Sequence, residues 1–129
     1  MQSAIEPFIT DLYNRNEYIS AITIISASHN SILYQTDNWD ISADFQNIIS
    51  TWNSQGGSIE VQGIRYMALQ NTPERLVCTN IKGQGHIIAA KDGNIIGVAY
   101  FLPDADIGSC YTDFARVIME INRQIGNQV

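Results

Sequence analysis

Apolar residues recur at three- and four-residue intervals in three stretches of the chain, near both ends and once between them, and elsewhere gather in short runs between turn residues. Ile5, Phe8, Ile9 and Leu12 form one helical stripe and predict an amphipathic helix from about Ser3 to Tyr13. Ser3 reads as its N-cap, with Glu6 completing a capping box, and Pro7 fits only in the first turn. Ser20 to Ala27 reads as a strand buried on at least one face, and Ser28-His29-Asn30 turns it into a return strand from Ser31 to Gln35. After a loop over Thr36 to Trp39, Ser42 reads as the N-cap of a second helix with Asp44 in its first turn. Phe45, Ile48, Ile49 and Trp52 form that helix's buried stripe, and Gly56-Gly57 ends it.

From Ser58 the pattern is a meander. Ile59 to Gln62, Arg65 to Gln70, Leu76 to Asn80 and Ile87 to Ala90 are short apolar runs between turn residues. Lys91-Asp92-Gly93-Asn94 predicts a type I′ hairpin turn into a strand from Asn94 to Phe101. A last helix begins near Ile107, with Phe114, Val117, Ile118, Ile121 and Ile125 on one face and Gly126 as its stop. The pattern is α+β: a central antiparallel sheet of about six or seven strands, helices at both ends, and a further helix after the first hairpin.

Length fits this plan, since 129 residues make one domain with an adequate core. Charge narrows the partners. The net charge is −6 and the pI about 4.6, so phosphate backbones and anionic lipid surfaces are repelled and no nucleic acid is expected. With seven basic residues against thirteen acidic ones, the chain can form at most a local basic patch. No basic leader and no bilayer-length apolar run is present, which makes the cytoplasm the expected compartment. Reduced thiols at Cys78 and Cys110 are favoured over a bridge.

Candidate chemistry adds little. His29 and His86 have no cysteine or carboxylate at metal-ligand spacing. Cys110, early in a helix, invites mild thiol reactivity, but a structural thiol is the preferred reading. Lys82-Gly83-Gln84-Gly85-His86 has the glycines of a phosphate loop without the strand-to-helix context, so it reads as a tight strand connection. The dispersed acidic residues pair nowhere for acid–base work. No enzyme, cofactor or metal is expected. Trp39, Trp52, Tyr66, Tyr100 and Tyr111 remain as possible interface anchors, with Trp52 read as core and Tyr111 as the one best placed for exposure.

Several blocks carry a family likeness. Gln62-Gly63-Ile64-Arg65-Tyr66-Met67-Ala68-Leu69, Lys82-Gly83-Gln84-Gly85-His86, Ile95-Ile96-Gly97-Val98-Ala99-Tyr100 and Gly108-Ser109-Cys110-Tyr111 resemble, in order and spacing, the second half of profilins. Asn30-Ser31-Ile32-Leu33-Tyr34 and Ile41-Ser42 extend the likeness upstream, so that it covers about residues 19 to 120. The divergence suggests the archaeal, Asgard-type profilins. The resemblance implies a monomeric, cytoskeleton-associated protein that binds actin or an actin-like protein and modulates its filament assembly. The implied contact positions are Arg65, Ala68, Leu69, Gln70, Thr79, Lys82, Gly108, Tyr111 and Thr112, with Thr79 standing where many members have arginine. The family's proline-rich ligand site maps onto Ala4, Phe8 and Leu33, with Glu120 and Gly126 where aromatic or histidine residues would be expected. That degraded set implies weak or absent polyproline binding. The family's phosphoinositide binding relies on basic patches, and with only a local patch available here it is left open but unsupported. A roadblock or longin-type dimeric scaffold for small GTPases is the alternative of similar element content, and a PAS-like sensor with a ligand cavity is a third.

Overall fold

The computed structural model describes residues 2–129. Three helices and seven strands follow in the order α1 (Gln2–Arg15), β1 (Ile19–Ser26), β2 (Ser31–Gln35), α2 (Phe45–Asn53), β3 (Ser58–Val61), β4 (Ile64–Thr72), β5 (Arg75–Thr79), β6 (His86–Asp92), β7 (Ile95–Phe101) and α3 (Ile107–Ile125). The strands form one antiparallel sheet in the spatial order β2-β1-β7-β6-β5-β4-β3. This is the expected α+β plan, at the upper end of the expected strand number.

The sheet separates two cores. On one face α1 and α3 bury Ile5, Ile9, Leu12, Phe114, Val117, Ile118 and Ile121 against Ile22, Ile24, Ile88 and Phe101. On the other, Ile48 and Trp52 of α2 pack with Trp39, Ile41, Ile59, Tyr66, Leu76, Cys78 and Val98. The central strands β1 and β7 are covered on both sides, so their sequences run apolar without alternation. Gly97 is needed where α3 crosses β7. A Cβ there would lie 2.3 Å from Ile118 Cδ1 and 2.7 Å from Phe114 Cζ. By contrast β4 alternates, with Tyr66 buried between exposed Arg65 and Met67. The reason is that α3 packs over β6 and β7, reaches β5 at Arg75, and leaves this face of β3 and β4 uncovered.

Several end signals differ from the sequence-based expectation. Helix α1 already includes Gln2, so Ser3 lies inside the first turn rather than at the cap, and Pro7 is the sixth residue of the helix. Its missing N–H leaves the Ser3 carbonyl, itself on the exposed first turn, without a helical partner. Helix α2 begins at Phe45, with Asp44 at the cap position. Ser42 instead sits in a preceding turn, donating from its N–H (2.9 Å) and its hydroxyl (2.5 Å) to Asp40 Oδ1. Those bonds hold the Asp40 carboxyl below its usual range. Gln55, not a glycine, takes the left-handed position after α2 at φ 57°, while Gln55 N–H reaches Trp52 O and Gly56 N–H reaches Thr51 O. Gly56 is needed there for closeness, because a Cβ would meet Thr51 Cγ2 at 2.8 Å.

In the β6–β7 turn only Gly93 has a positive φ (54°), so the backbone signs are those of a II′ rather than a I′ turn. Asn94 is engaged elsewhere. Its N–H donates to Asn122 Oδ1, its Oδ1 accepts from Ser28 N–H, and its Nδ2 donates to Gly126 O and Val129 O. Gly126 caps α3 in the right-handed region and continues into a 3₁₀ turn, Gly126–Gln128.

Candidate functional site

The uncovered end of the sheet is built by register. Glu60 pairs with Arg65, Ser58 with Met67, Met67 with Thr79, and Thr79 with His86, so these six side chains share one face of the sheet. Arg65 is exposed and its Nη2 donates to Ser58 Oγ (3.3 Å), which lays the guanidinium across β3. A bulge between Ala68 and Gln70 makes Leu69 the extra residue. Leu69 is therefore 57% exposed, while Ala68 packs against the core on the opposite side. Of the implied contact positions, Ala68 is the one whose side chain turns away from the rest.

The loop after β5 is rigidly organised. Asn80 Oδ1 accepts from Lys82 N–H (2.8 Å) and Gln84 N–H (3.1 Å), and Asn80 Nδ2 donates to Arg65 O (2.8 Å). Gly85, at φ 110°, lies so close under the Tyr100 ring that a Cβ would sit 2.5 Å from it, and Tyr100 Oη donates to Gln84 O (2.7 Å). Lys82 and Ile81 are presented on this frame, Ile81 at 81% exposure. His86 links the frame to the segment before α3. Its Nε2 lies 3.0 Å from Pro103 O, a pure acceptor, so Nε2 carries a proton, and its Nδ1 lies 2.9 Å from Thr79 Oγ1.

The first turns of α3 complete the face. Tyr111 is half-buried, and the Arg75 guanidinium stacks 3.8 Å from its ring centroid while donating from Nη1 to Gln70 Oε1 (3.2 Å). Gly108 and Thr112 are exposed one turn apart, with Thr112 Oγ1 donating to Gly108 O. The fold thus gathers Arg65, Leu69, Gln70, Thr79, Lys82, Gly108, Tyr111 and Thr112 around one end of the sheet. It adds three residues that sequence reasoning passed over: Met67, Ile81 and Arg75. Met67 was legible from its alternation with Tyr66. Arg75 was not, because its partner Tyr111 lies 36 positions away and no local pattern joins them.

Charge is distributed unevenly. Seven of the thirteen acidic residues but only Arg15 among the basic ones lie in residues 1–60, so that segment alone accounts for the net −6. Arg15 is itself paired with Asp11 (2.6 Å). The gathered face carries Arg65, Arg75 and Lys82 around the exposed apolar Met67, Leu69 and Ile81. An apolar centre with Arg and an aromatic beside it is the composition of a protein-binding surface. Of the other aromatics considered as anchors, Trp39, Trp52 and Tyr66 are core. Among the described residues no group of three or more His, Cys, Asp or Glu side chains is placed to hold a metal ion, and no helix is long and apolar enough to cross a membrane.

Both cysteines are free and buried, in different cores. Burial pushes the Cys110 thiol up despite its place early in α3, and pushes Cys78 to about 12. Desolvation dominates, which fits the structural-thiol reading of Cys110 and not the mild reactivity weighed beside it. Native protein at pH 8 is expected to react with a thiol reagent at least tenfold more slowly than unfolded protein; equal rates would contradict the burial. Above about pH 9 the unfolded chain releases these thiol protons while the folded chain keeps them. Stability is therefore level below pH 9 and falls between 9 and 12 by up to about 1.4 kcal/mol per pH unit for Cys78.

The degraded proline-ligand positions also come together. Ala4, Phe8 and Leu33 are half-buried against the α1–α3 core, while Glu120 is half-buried and Gly126 buried near the end of α3. Phe8 is the only aromatic of that set.

Comparison with known proteins agrees with this architecture. The Profilin family model matches residues 4–122. Loki profilin-2 of Lokiarchaeum sp. (strain GC14_75) is 39% identical over 95 residues, covering 68% of this chain and 70% of the relative. Odin profilin of Odinarchaeota yellowstonii (strain LCB_4) is 29% identical over 106 residues, covering 81% and 87%. A solved complex of LokiProfilin2 with rabbit actin superposes over 100% of both chains with a TM-score of 0.84 at 32% identity. The roadblock or longin-type alternative finds no support in these matches.

Proposed function

The chain belongs to the profilin family, and from that premise we propose that it binds monomeric actin or an actin-like protein and thereby modulates filament assembly. The observation that carries the proposal is the β3–β5 end of the sheet, uncovered over β3 and β4, where cationic Arg65, Arg75 and Lys82 surround exposed Met67, Leu69 and Ile81 beside the first turns of α3. A similar chain superposes over its full length while in complex with rabbit actin, which supports the same kind of partner here. The contact set is Arg65, Met67, Leu69, Gln70, Thr79, Lys82, Gly108, Tyr111 and Thr112, with Ala68 supporting the strand from behind. The protein acts as a binding protein and not an enzyme, as a monomer of one domain, in the cytoplasm and in association with the cytoskeleton.

An actin polymerisation assay with increasing amounts of the protein tests this. The expected result is a dose-dependent change in polymerisation rate together with a 1:1 complex in solution. No effect, combined with failure to retain any actin, would sink the proposal.

Proline-rich binding is expected to be weak or absent. Polyproline docks by stacking on several aromatics at once, and only Phe8 is available at these positions. Calorimetric titration with a proline decamer should give no saturable heat; clear micromolar binding would refute this.

A further inference from the structure

We propose that a second groove, on the opposite edge of the sheet from the actin face, receives a basic, extended peptide segment of a partner protein. The groove has a volume of about 460 Å³ and lies between α1, the edge strand β2 and the loop that follows it. Its aromatic walls are Tyr13 and Tyr34, and its charged rim is Glu6 and Asp37.

Tyr13 lies five residues after Phe8, about 140° round α1, so this groove is on the other flank of the helix from the degraded proline site. Strands β1, β7 and β6 separate it from β5 and β4. The groove floor is already satisfied, because Tyr13 Oη (3.0 Å) and Asn38 Nδ2 (2.9 Å) both donate to Ser20 O. The two carboxylates are not. The one ion pair among the described residues is Arg15–Asp11, which leaves Glu6 and Asp37 without a basic partner. Burial raises the Tyr34 phenol, and Glu6 and Asp37 raise it further, so both carboxylates project their field onto that ring. A tyrosine face flanked by uncompensated carboxylates favours a cation. A Lys or Arg side chain can lay its stem on the ring while its charged head meets the acid. Glu6 and Asp37 themselves draw such a segment to this edge, since Asp44 and Glu60 of the acidic N-terminal half lie near the opposite edge of the sheet.

The test is an NMR titration of the isotope-labelled protein at low salt with the hexapeptide Gly-Lys-Gly-Lys-Gly-Lys. The same titration is run with the charge-free Gly-Gln analogue and with a proline decamer. Saturable shifts confined to Tyr13, Ser20, Tyr34 and Asn38 are expected with the lysine peptide alone. Glu6→Gln with Asp37→Asn is expected to weaken binding at least fivefold, and the charge-matched pair Glu17→Gln with Asp104→Asn to change it less than twofold. Shifts spread over the acidic surface, equal losses in both double variants, or equal binding of a neutral peptide would overturn the proposal. None of these outcomes depends on whether the protein binds actin.

Discussion

Arg65→Glu is expected to weaken actin binding by about 30- to 100-fold, the loss of roughly 2–3 kcal/mol that removal of an interface anchor brings. Arg65 is exposed, held flat across β3 by Ser58 Oγ, and paired in register with Glu60. Reversal removes a guanidinium from a face whose other cations are Arg75 and Lys82, and puts two carboxylates opposite each other across β3 and β4. That cross-strand repulsion costs folding stability by no more than about 1 kcal/mol. The two effects are separable. Glu60→Arg combined with Arg65→Glu restores the cross-strand pair and so the denaturation midpoint, but moves the positive charge from β4 to β3. Affinity measured by titration should then remain low while stability returns. Unchanged affinity in the single variant would remove Arg65 from the contact face.

The helices of this fold were readable in the chain from their 3.6-residue period and the strands from apolar runs between turn residues, but their consequences for the site were only partly so. The alternation around Tyr66 predicts a half-exposed strand, yet a period of two does not say which face is bare. That depends on α3 covering β6 and β7, reaching β5 at Arg75 and leaving β4 bare, a fact about crossing geometry. The bulge that frees Leu69 and turns Ala68 inward inserts one residue into an otherwise regular run, with no glycine to mark it. Turn chemistry misled where side chains overrode backbone preference. Asp40 captures Ser42 before it can cap α2, and Asn94 is held by Ser28 and Asn122 in a geometry that leaves only Gly93 left-handed. The Arg75–Tyr111 stack joins β5 to α3 across a long sequence interval and became visible only in three dimensions.

Phe114→Ala is expected to destabilise the protein by about 3–5 kcal/mol, a large share of the roughly 5–15 kcal/mol that such a domain has. Phe114 is fully buried, meets Phe101 edge-on with centroids 6.2 Å apart, and places its Cζ over Gly97. Deleting the ring leaves a cavity between α3 and β7 that rigid neighbours cannot fill. The denaturation midpoint should fall without a change in slope. Gly97 provides an internal check. Gly97→Ala alone forces a methyl into Ile118 Cδ1 and Phe114 Cζ, an overpacking that costs about 1–3 kcal/mol. In the Phe114→Ala background that methyl enters the vacated space and the Ile118 tip can move aside, so the double variant should be more stable than the sum of the singles predicts by at least about 1 kcal/mol. Strict additivity would show that the ring and the glycine are not in direct contact. The coupling has a functional side, since Phe114 seats the helix whose second turn holds Tyr111 beneath Arg75. At temperatures where the Phe114→Ala variant remains folded, actin affinity should fall only a few-fold. It should recover in the double variant in step with stability, whereas Arg65→Glu loses affinity and keeps its fold.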